Sequence, residues 1–327
     1  MSKFTRVIIG AVLSFPIMAN ASSMTETMEK TEIQQYVIDL TVKSKWTQLD
    51  KLIEEYNTGF PATSGGTQKL VILWGSIYEL YGQDVKSINM VADEWMQANP
   101  RSTGARMLKA FTYNAEAVRL RGEGSIDTVD PSIIPQYKKV VKQEKEYLLK
   151  NKDIAEKDAT WYQEMEMVAR NLGDKELLYS TLQEGSTKYP EYQNIYLQAM
   201  EGRLPKWGGS VEEVEKIARL AVEKTKNKSG LSLYSYIWYN AIAFQPEMMK
   251  LFYNHEVVSW DDMHKGWQDR YKQYTSTRTL NNFMVTACLA QDKAAFMEAQ
   301  KLSKGEYEAN LWYPGLEYNK CLAYARK

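Results

Sequence analysis

Residues 70–100 read LVILWGSIYELYGQDVKSINMVADEWMQANP, and this stretch decides the fold class. Its first half places large apolar side chains at intervals of three and four residues, the spacing of one face of an α-helix. Gly82 and Asp84 interrupt the pattern, a second helical segment follows, and Pro100 ends it. The stretch predicts two antiparallel helices joined by a tight turn. The apolar stripe consists of Leu70, Leu73, Trp74, Ile77, Leu80 and Tyr81.

The same order of elements recurs further along the chain. Asp174 follows another helical stripe and precedes Pro190 by sixteen residues, the interval that separates the aspartate and proline of the first unit. A third turn at residues 289–292 has no proline at that interval. Helix, turn, helix and prolyl break form the unit of tetratricopeptide-type solenoids. We therefore predict an all-α fold, a right-handed α-α superhelix of tetratricopeptide-like helical hairpins, as a single domain over residues 22–327.

The N-terminus has the pattern of a secretory signal. Lys3 and Arg6 form a short cationic head, and residues 7–18 form an apolar stretch that Gly10, Ser14 and Pro16 alone interrupt. The next three residues, Ala-Asn-Ala, supply small side chains at the two positions that signal peptidase reads. The alternative is an uncleaved membrane anchor, but spanning a bilayer takes about 20 apolar residues and this stretch is shorter.

Cleavage of this signal fixes the expected compartment. We predict that residues 1–21 are a signal peptide removed between Ala21 and Ser22, so that the mature protein is periplasmic, in a Gram-negative host, or secreted. No integral membrane span is expected after cleavage. The whole chain has 41 basic and 41 acidic residues, and loss of Lys3 and Arg6 leaves a net charge near −2. Nucleic acid needs clustered cations, so we expect no nucleic-acid partner.

A distinctive turn, GRLPKWGGS, covers residues 202–210. Its proline ends one helix, its tryptophan is large enough to anchor the turn, and its glycines permit positive φ. The serine can cap the next helix with Glu213 reaching back in a capping box. A helix N-terminus offered to an anion is the alternative, although a nucleotide loop would need a preceding strand and a lysine after the glycines. The predicted turn residues are Leu204, Pro205, Trp207, Gly208, Gly209 and Ser210.

This turn resembles the signature of a bacterial domain-of-unknown-function family, numbered 4034, whose members are tetratricopeptide-like proteins. Trp46 and the following Leu-Asp-Lys-Leu segment resemble the family's opening helix, and Arg-Gly-Glu-Gly at residues 121–124 resembles its loop. Cys288, Asp292 and Cys321 resemble its closing repeat. The sequence departs at Trp46 and at the lysine of the turn, where phenylalanine and arginine are expected. The resemblance spans the mature chain and implies the fold but no activity.

Residues typical of catalysis or metal binding are scarce. The two histidines, His255 and His264, lie nine residues apart and form no His-Glu-x-x-His pair, so we expect no metal and no cofactor. No Gly-x-Ser-x-Gly elbow is present. Glu164 and Glu166 suggest a pair of catalytic carboxylates, but at i and i+2 on a helix they point apart. We therefore predict that both lie on a solvated face and that the protein is not an enzyme.

Aromatic content is the remaining signal, with 22 Tyr and 9 Trp. Most should pack between repeats, and some should line a binding surface, where Tyr and Trp are enriched. We predict non-catalytic binding of a protein or peptide in the cell envelope. The alternative is an envelope enzyme on a helical scaffold, such as a peptidoglycan-acting lyase, which would need a buried, isolated carboxylate in a cleft. A subunit of an obligate assembly would instead expose a large apolar face.

The two cysteines, Cys288 and Cys321, are predicted to form a disulfide. An exported protein meets an oxidising compartment, and two cysteines have one possible pairing. The alternative is a pair of buried free thiols that pack as small apolar side chains.

Overall fold

The computed structural model describes residues 26–82, 84–122, 129–251, 257–313 and 315–327. The predicted signal peptide, its cleavage site between Ala21 and Ser22, and His255 lie outside the described residues, as does part of the Arg-Gly-Glu-Gly loop.

The described residues form an all-α fold, as predicted, and no strand longer than a single bridge occurs among them. Three-residue to five-residue 3-10 turns occupy some of the connections, at Pro131–Ile133, Pro205–Trp207, Pro246–Lys250 and Ala309–Leu311. The α-helices are α1 (Glu26–Val42), α2 (Trp46–Asn57), α3 (Lys69–Tyr81), α4 (Val85–Ala98), α5 (Thr103–Arg121), α6 (Ile134–Lys150), α7 (Lys152–Ala155), α8 (Thr160–Leu172), α9 (Lys175–Lys188), α10 (Gln193–Gly202), α11 (Val211–Ser229), α12 (Ser232–Phe244), α13 (Trp260–Gln273), α14 (Thr277–Leu289), α15 (Lys293–Leu302) and α16 (Tyr318–Ala325).

The repeated turn has one structural role in all three copies. Asp84, Asp174 and Asp292 each stand directly before a helix and accept a hydrogen bond from the backbone N–H three residues later, at 3.2, 3.0 and 2.9 Å. An aspartate at this position satisfies a free N–H group and complements the positive end of the helix dipole. The spacing found in the sequence therefore marks the start of the second helix of a hairpin, which confirms the helical repeat.

Successive helices pack side by side around one continuous apolar core that runs from Val37 to Cys321. Helix α8 packs against α6, α9 and α10, and α10 packs in turn against α12. A helix with neighbours on several sides must be apolar on several faces.

The segment between α2 and α3 folds back onto repeats that come much later in the chain. The Gln68 side chain donates to the carbonyl of Glu191 at 2.8 Å and accepts from the backbone N–H of Gln193 at 3.0 Å. The ring of Phe60 stacks on Tyr192 with centroids 5.3 Å apart. These contacts bring α3 opposite the start of α10, and a solenoid with only neighbour-to-neighbour contacts would not make them.

The C-terminal helix is held by the two cysteines. Cys288 on α14 and Cys321 on α16 lie at disulfide-bonding distance, with Cα atoms 5.7 Å apart. The pairing predicted from the sequence fits this geometry.

No helix among the described residues has both the length and the apolar character needed to cross a membrane.

Candidate functional site

The turn at residues 202–210 is a structural joint between α10 and α11. Its proline opens a 3-10 turn, Gly208 takes φ 77°, and Ser210 accepts from the N–H of Glu213 at 3.3 Å. Of the two glycines that permit positive φ, Gly208 adopts it and Gly209 does not; at Gly209 a Cβ would collide with the carbonyl of Arg203. The carboxylate of Glu213 lies 3.7 Å from the Arg203 guanidinium and forms an ion pair with it.

Trp207 holds this joint to neighbouring helices. Its indole is half-buried, and the guanidinium groups of Arg121 and Arg170 lie 5.9 and 5.1 Å from the ring. Leu204 is fully buried beneath the turn. These contacts are those of a packing motif.

A separate pocket of about 260 Å³ lies among α3, α5, α8 and the start of α10. Its walls are aromatic: Trp74 and Phe111 meet edge to face with ring centroids 5.1 Å apart, and Tyr192 also lines the pocket. Other residues of the described lining are Val71, Gly75, Tyr78, Asn114, Thr160, Gln163, Glu164, Met167 and Asn194.

Hydrogen bonds fix the polar side chains around this pocket. The Oε1 atom of Gln163 accepts from the Tyr192 hydroxyl at 2.9 Å and from Nδ2 of Asn194 at 3.0 Å. The indole N–H of Trp74 donates to Asp158 at 2.8 Å. Hydrogen bonds to polar side chains therefore orient two of the aromatic residues on the lining, Trp74 and Tyr192.

Glu164 is the carboxyl group that lines this pocket. Its side chain is 4% exposed, and its Oε2 atom is buried without a hydrogen-bond partner among the described residues. Burial raises the pKa of Glu164 to about 8, because Arg170 opposes the rise only in part and the charge of Asp158 adds to it. At neutral pH the raised pKa favours the protonated form of this carboxyl.

The prediction that Glu164 and Glu166 lie on a solvated face is wrong. Glu166 is fully buried and does not line the pocket. The two side chains do point apart, as i and i+2 positions must, but α8 has helices on several sides, so both directions lead into protein. Burial raises the pKa of Glu166 well above its usual value, and neither of its oxygens has a hydrogen-bond partner among the described residues.

Two further carboxyl groups lie close behind the pocket. Glu144 on α6 is 1% exposed, and burial together with the charge of Glu164 raises its pKa. Burial also raises the pKa of Asp158, although hydrogen bonds from Thr160 and Trp74 favour its charged form. The nearest cation, Arg170, bridges to Glu201 at 2.8 Å. The pocket therefore sits in a region with more buried acids than bases.

His264, the histidine within the described residues, contacts neighbouring side chains. His264 contacts Glu298 at 2.9 Å and stacks near Trp260, with ring centroids 6.0 Å apart. No group of three or more His, Cys, Asp or Glu in the described ranges is arranged to hold a metal ion.

The chain matches no protein-family model, no curated protein and no solved structure. The resemblance to the bacterial family of unknown function stays a prediction.

Sequence reasoning missed Glu164 and the aromatic walls. A signal was present in WYQEMEMV at residues 161–168, where apolar side chains occupy every face around the two glutamates. A helix that is apolar all round is buried, so its acids are buried with it. The partners of Glu164 in the pocket come from α3, α5 and α10, and no local pattern brings those segments together.

Proposed function

We propose that this protein is an exported helical-repeat protein that binds a protein or peptide segment in the cell envelope, without catalysis, through the pocket among α3, α5, α8 and α10. The observation that carries the proposal is the buried carboxyl of Glu164 on the lining of an aromatic-walled pocket, with one oxygen that has no hydrogen-bond partner among the described residues. A buried polar group left unpaired costs about 1 to 3 kcal/mol, and a ligand that pairs it recovers that free energy. A volume of about 260 Å³ suits one inserted side chain.

Export to the periplasm or beyond is part of the same proposal. The cationic head, apolar stretch and Ala-Asn-Ala of the N-terminus support it, and so does the pairing of Cys288 with Cys321. Intact mass of the protein from the cell envelope should start at Ser22. A full-length product in the cytoplasm would contradict export.

The right-handed sense of the superhelix, the single domain over residues 22–327 and membership of the family numbered 4034 belong to this proposal too. The three aspartate-capped turns support the tetratricopeptide-like unit on which the right-handed sense rests, the continuous apolar core supports the single domain, and the turn around Trp207 supports the family.

Site-specific photocrosslinking tests where partners bind. A photoreactive phenylalanine analogue at Asn114, on the pocket lining, should capture a discrete partner in living cells. The matched control places the same analogue at Tyr179, which is 58% exposed on α9, away from the pocket. A second control adds Gly75→Leu, which fills the pocket and should abolish capture from position 114. Equal capture from both positions, or capture that survives Gly75→Leu, would contradict the proposal.

One observation favours a second candidate function. Glu164 is a buried carboxyl lining a cleft, protonated at neutral pH, and this is the feature expected of a general acid in an envelope enzyme such as a peptidoglycan-acting lyase. Purified peptidoglycan sacculi provide the test. Release of soluble fragments by the protein, and its loss in Glu164→Gln, would establish the enzyme over the binding protein.

A further inference from the structure

We infer that the pocket among α3, α5, α8 and α10 recognises a primary alkylammonium group, presented as a lysine side chain. The inference deepens the proposed function and rests on it, since it names what the bound protein or peptide inserts. Its basis is the charge balance of the pocket, the aromatic walls and the fixed geometry of both.

Charge complementarity is the first step. Glu164 is the one carboxyl on the described lining, which contains no lysine or arginine. Asp158 lies nearby, and its charge adds negative potential at Glu164 in a region of low dielectric. Arg170 offsets this only in part, because its guanidinium is already paired with Glu201 and faces the indole of Trp207. An arriving cation therefore meets a lining that has one carboxyl and no cation of its own, with the charge of Arg170 engaged by Glu201.

The walls suit the rest of such a ligand. The faces of aromatic rings attract cations, and Trp74, Phe111 and Tyr192 line the same pocket as the Glu164 carboxyl. Val71 and Met167 add apolar surface against which the methylene stem of a lysine can pack. A neutral hydrocarbon side chain would fill the same space but would leave the Glu164 carboxyl unpaired.

Proton release should accompany binding. The groups around Glu164 are Glu144 from α6, Asp158 from the turn before α8, and Tyr78 and Tyr192 on the pocket lining, with Arg170 and Glu166 on its own helix. Helix α5 adds no charged side chain to the described lining. A bound ammonium group favours the carboxylate, so the proton of Glu164 leaves as the ligand enters. Affinity should rise about tenfold per pH unit below pH 8.

Calorimetric titration of the full chain compares two probes of the same shape. Nα-acetyl-lysine methylamide carries the ammonium group, and Nα-acetyl-norleucine methylamide replaces it with a methyl group. We expect the lysine probe to bind at least about tenfold more tightly, with proton release measured in buffers of different ionisation enthalpy. Glu164→Gln, which mimics the protonated acid in shape, should remove the preference. Glu166→Gln, equally buried on α8 but off the pocket lining, should keep it.

Each other outcome has one meaning. Equal binding of the two probes, proton uptake, or a preference that survives Glu164→Gln would overturn the ammonium inference and leave partner capture at Asn114 intact as evidence for the proposed function. Absence of lysine-probe binding to a folded wild-type protein would overturn it as well. Tighter binding of the free diamine cadaverine than of the lysine probe would keep the ammonium group but contradict the peptide source, and with it the proposed function.

Discussion

Two regions of this protein treat buried polar atoms in opposite ways. In the acid region, residues 144–170, oxygens of Glu144, Glu164 and Glu166 are buried without hydrogen-bond partners among the described residues. In the closing region, residues 288–327, no described side chain has a buried nitrogen or oxygen left unpaired. The closing region holds Cys288 on α14 and Cys321 on α16 at disulfide-bonding distance. The unpaired oxygens of the acid region therefore lower the stability of the fold, whereas a disulfide between the two cysteines of the closing region raises it.

The difference separates a binding site from a structural end cap. Terminal repeats have one neighbour instead of two, so a helix at the end of a solenoid gains most from extra links. A pocket that is to pair its carboxyl with a ligand must leave that carboxyl unpaired beforehand, at a cost in stability. The predictions below test the two sides of this comparison.

The largest expected effect is in the closing region. Replacing Cys288 and Cys321 together by alanine should lower the free energy of unfolding by about 3 to 4 kcal/mol, the loop entropy of a link across 33 residues. Guanidinium unfolding of the oxidised wild type against the double variant measures it, and reduced wild type is the matched control. Alkylation of two cysteines in the denatured, unreduced protein would show that no bond forms.

The acid region should make stability depend on pH. The pKa of Glu164 is about 8 in the folded protein against a usual value of 4.5, so the stability linked to its proton is complete below pH 4.5 and is lost as pH rises toward 8. The slope is about 1.4 kcal/mol per pH unit from this group alone. Urea unfolding at pH 5, 6 and 7 should show it, and Glu164→Gln should flatten the curve by that amount.

The control for this slope lies in the closing region. Glu317→Gln changes an exposed carboxyl and should leave the slope unchanged.

Glu26 on α1 affects stability in a lower pH range. Burial raises its pKa, but the hydrogen bond from Lys30 and the charge of Arg278 outweigh burial and lower the pKa to about 2. Its contribution is lost only below about pH 4.5. A wild-type protein equally stable at pH 5 and pH 7 would contradict the burial of ionisable acids in the acid region.

Trp207 borders the acid region through its contact with Arg170. Trp207→Ala should lower the free energy of unfolding by about 2 kcal/mol. Replacing a fully buried aromatic residue by alanine costs about 3 kcal/mol, and the effect should be smaller here because the indole is half-buried. Trp207→Phe should retain most of it. Unchanged melting with weakened ligand binding would make Trp207 a contact residue instead of a packing anchor.

Local rules in the sequence were sufficient for the repeat, the caps and the cysteine pair. Asp84 and Ser210 cap helices because the oxygen of a short polar side chain directly before a helix can accept from a free N–H group of its first turn. Predicting such a cap requires only the neighbouring residues. The two-cysteine count left one pairing. The repeat and the caps depend on contacts within one hairpin, and the cysteine pairing depends only on the number of cysteines.

The pocket could not be predicted, because it depends on how distant hairpins meet. Gln68 bonds to Glu191 and Gln193 across more than a hundred residues, and this contact sets α3 opposite α10. The burial of Glu164 follows from α8 having helices on several sides, which depends on the path of the whole solenoid. Predicting the exposure of α8 from its own sequence assumed that one face of the helix is solvated. In the structure, neighbouring helices cover that face.

The smallest expected effect distinguishes open space in the pocket from close packing beside it. Gly75 lies within α3 on the pocket lining, and a Cβ there would meet no atom within 4 Å. Gly75→Ala should raise the free energy of unfolding by about 0.5 to 1 kcal/mol, the helix propensity that glycine forgoes. Gly104, on α5, is the matched control, since its Cβ would lie 2.5 Å from the Trp95 ring, so Gly104→Ala should destabilise.

The same glycine also separates binding from stability in the acid region. Gly75→Leu extends a side chain into the pocket, so it should block the lysine probe while the protein remains at least as stable as wild type, because helix propensity again favours leucine over glycine. Thermal melting and calorimetric titration of one preparation test both halves. If Gly75→Leu destabilised the protein as Gly104→Ala does, the space beside Gly75 would be packed core, and the unpaired carboxyl of Glu164 would have no ligand to receive.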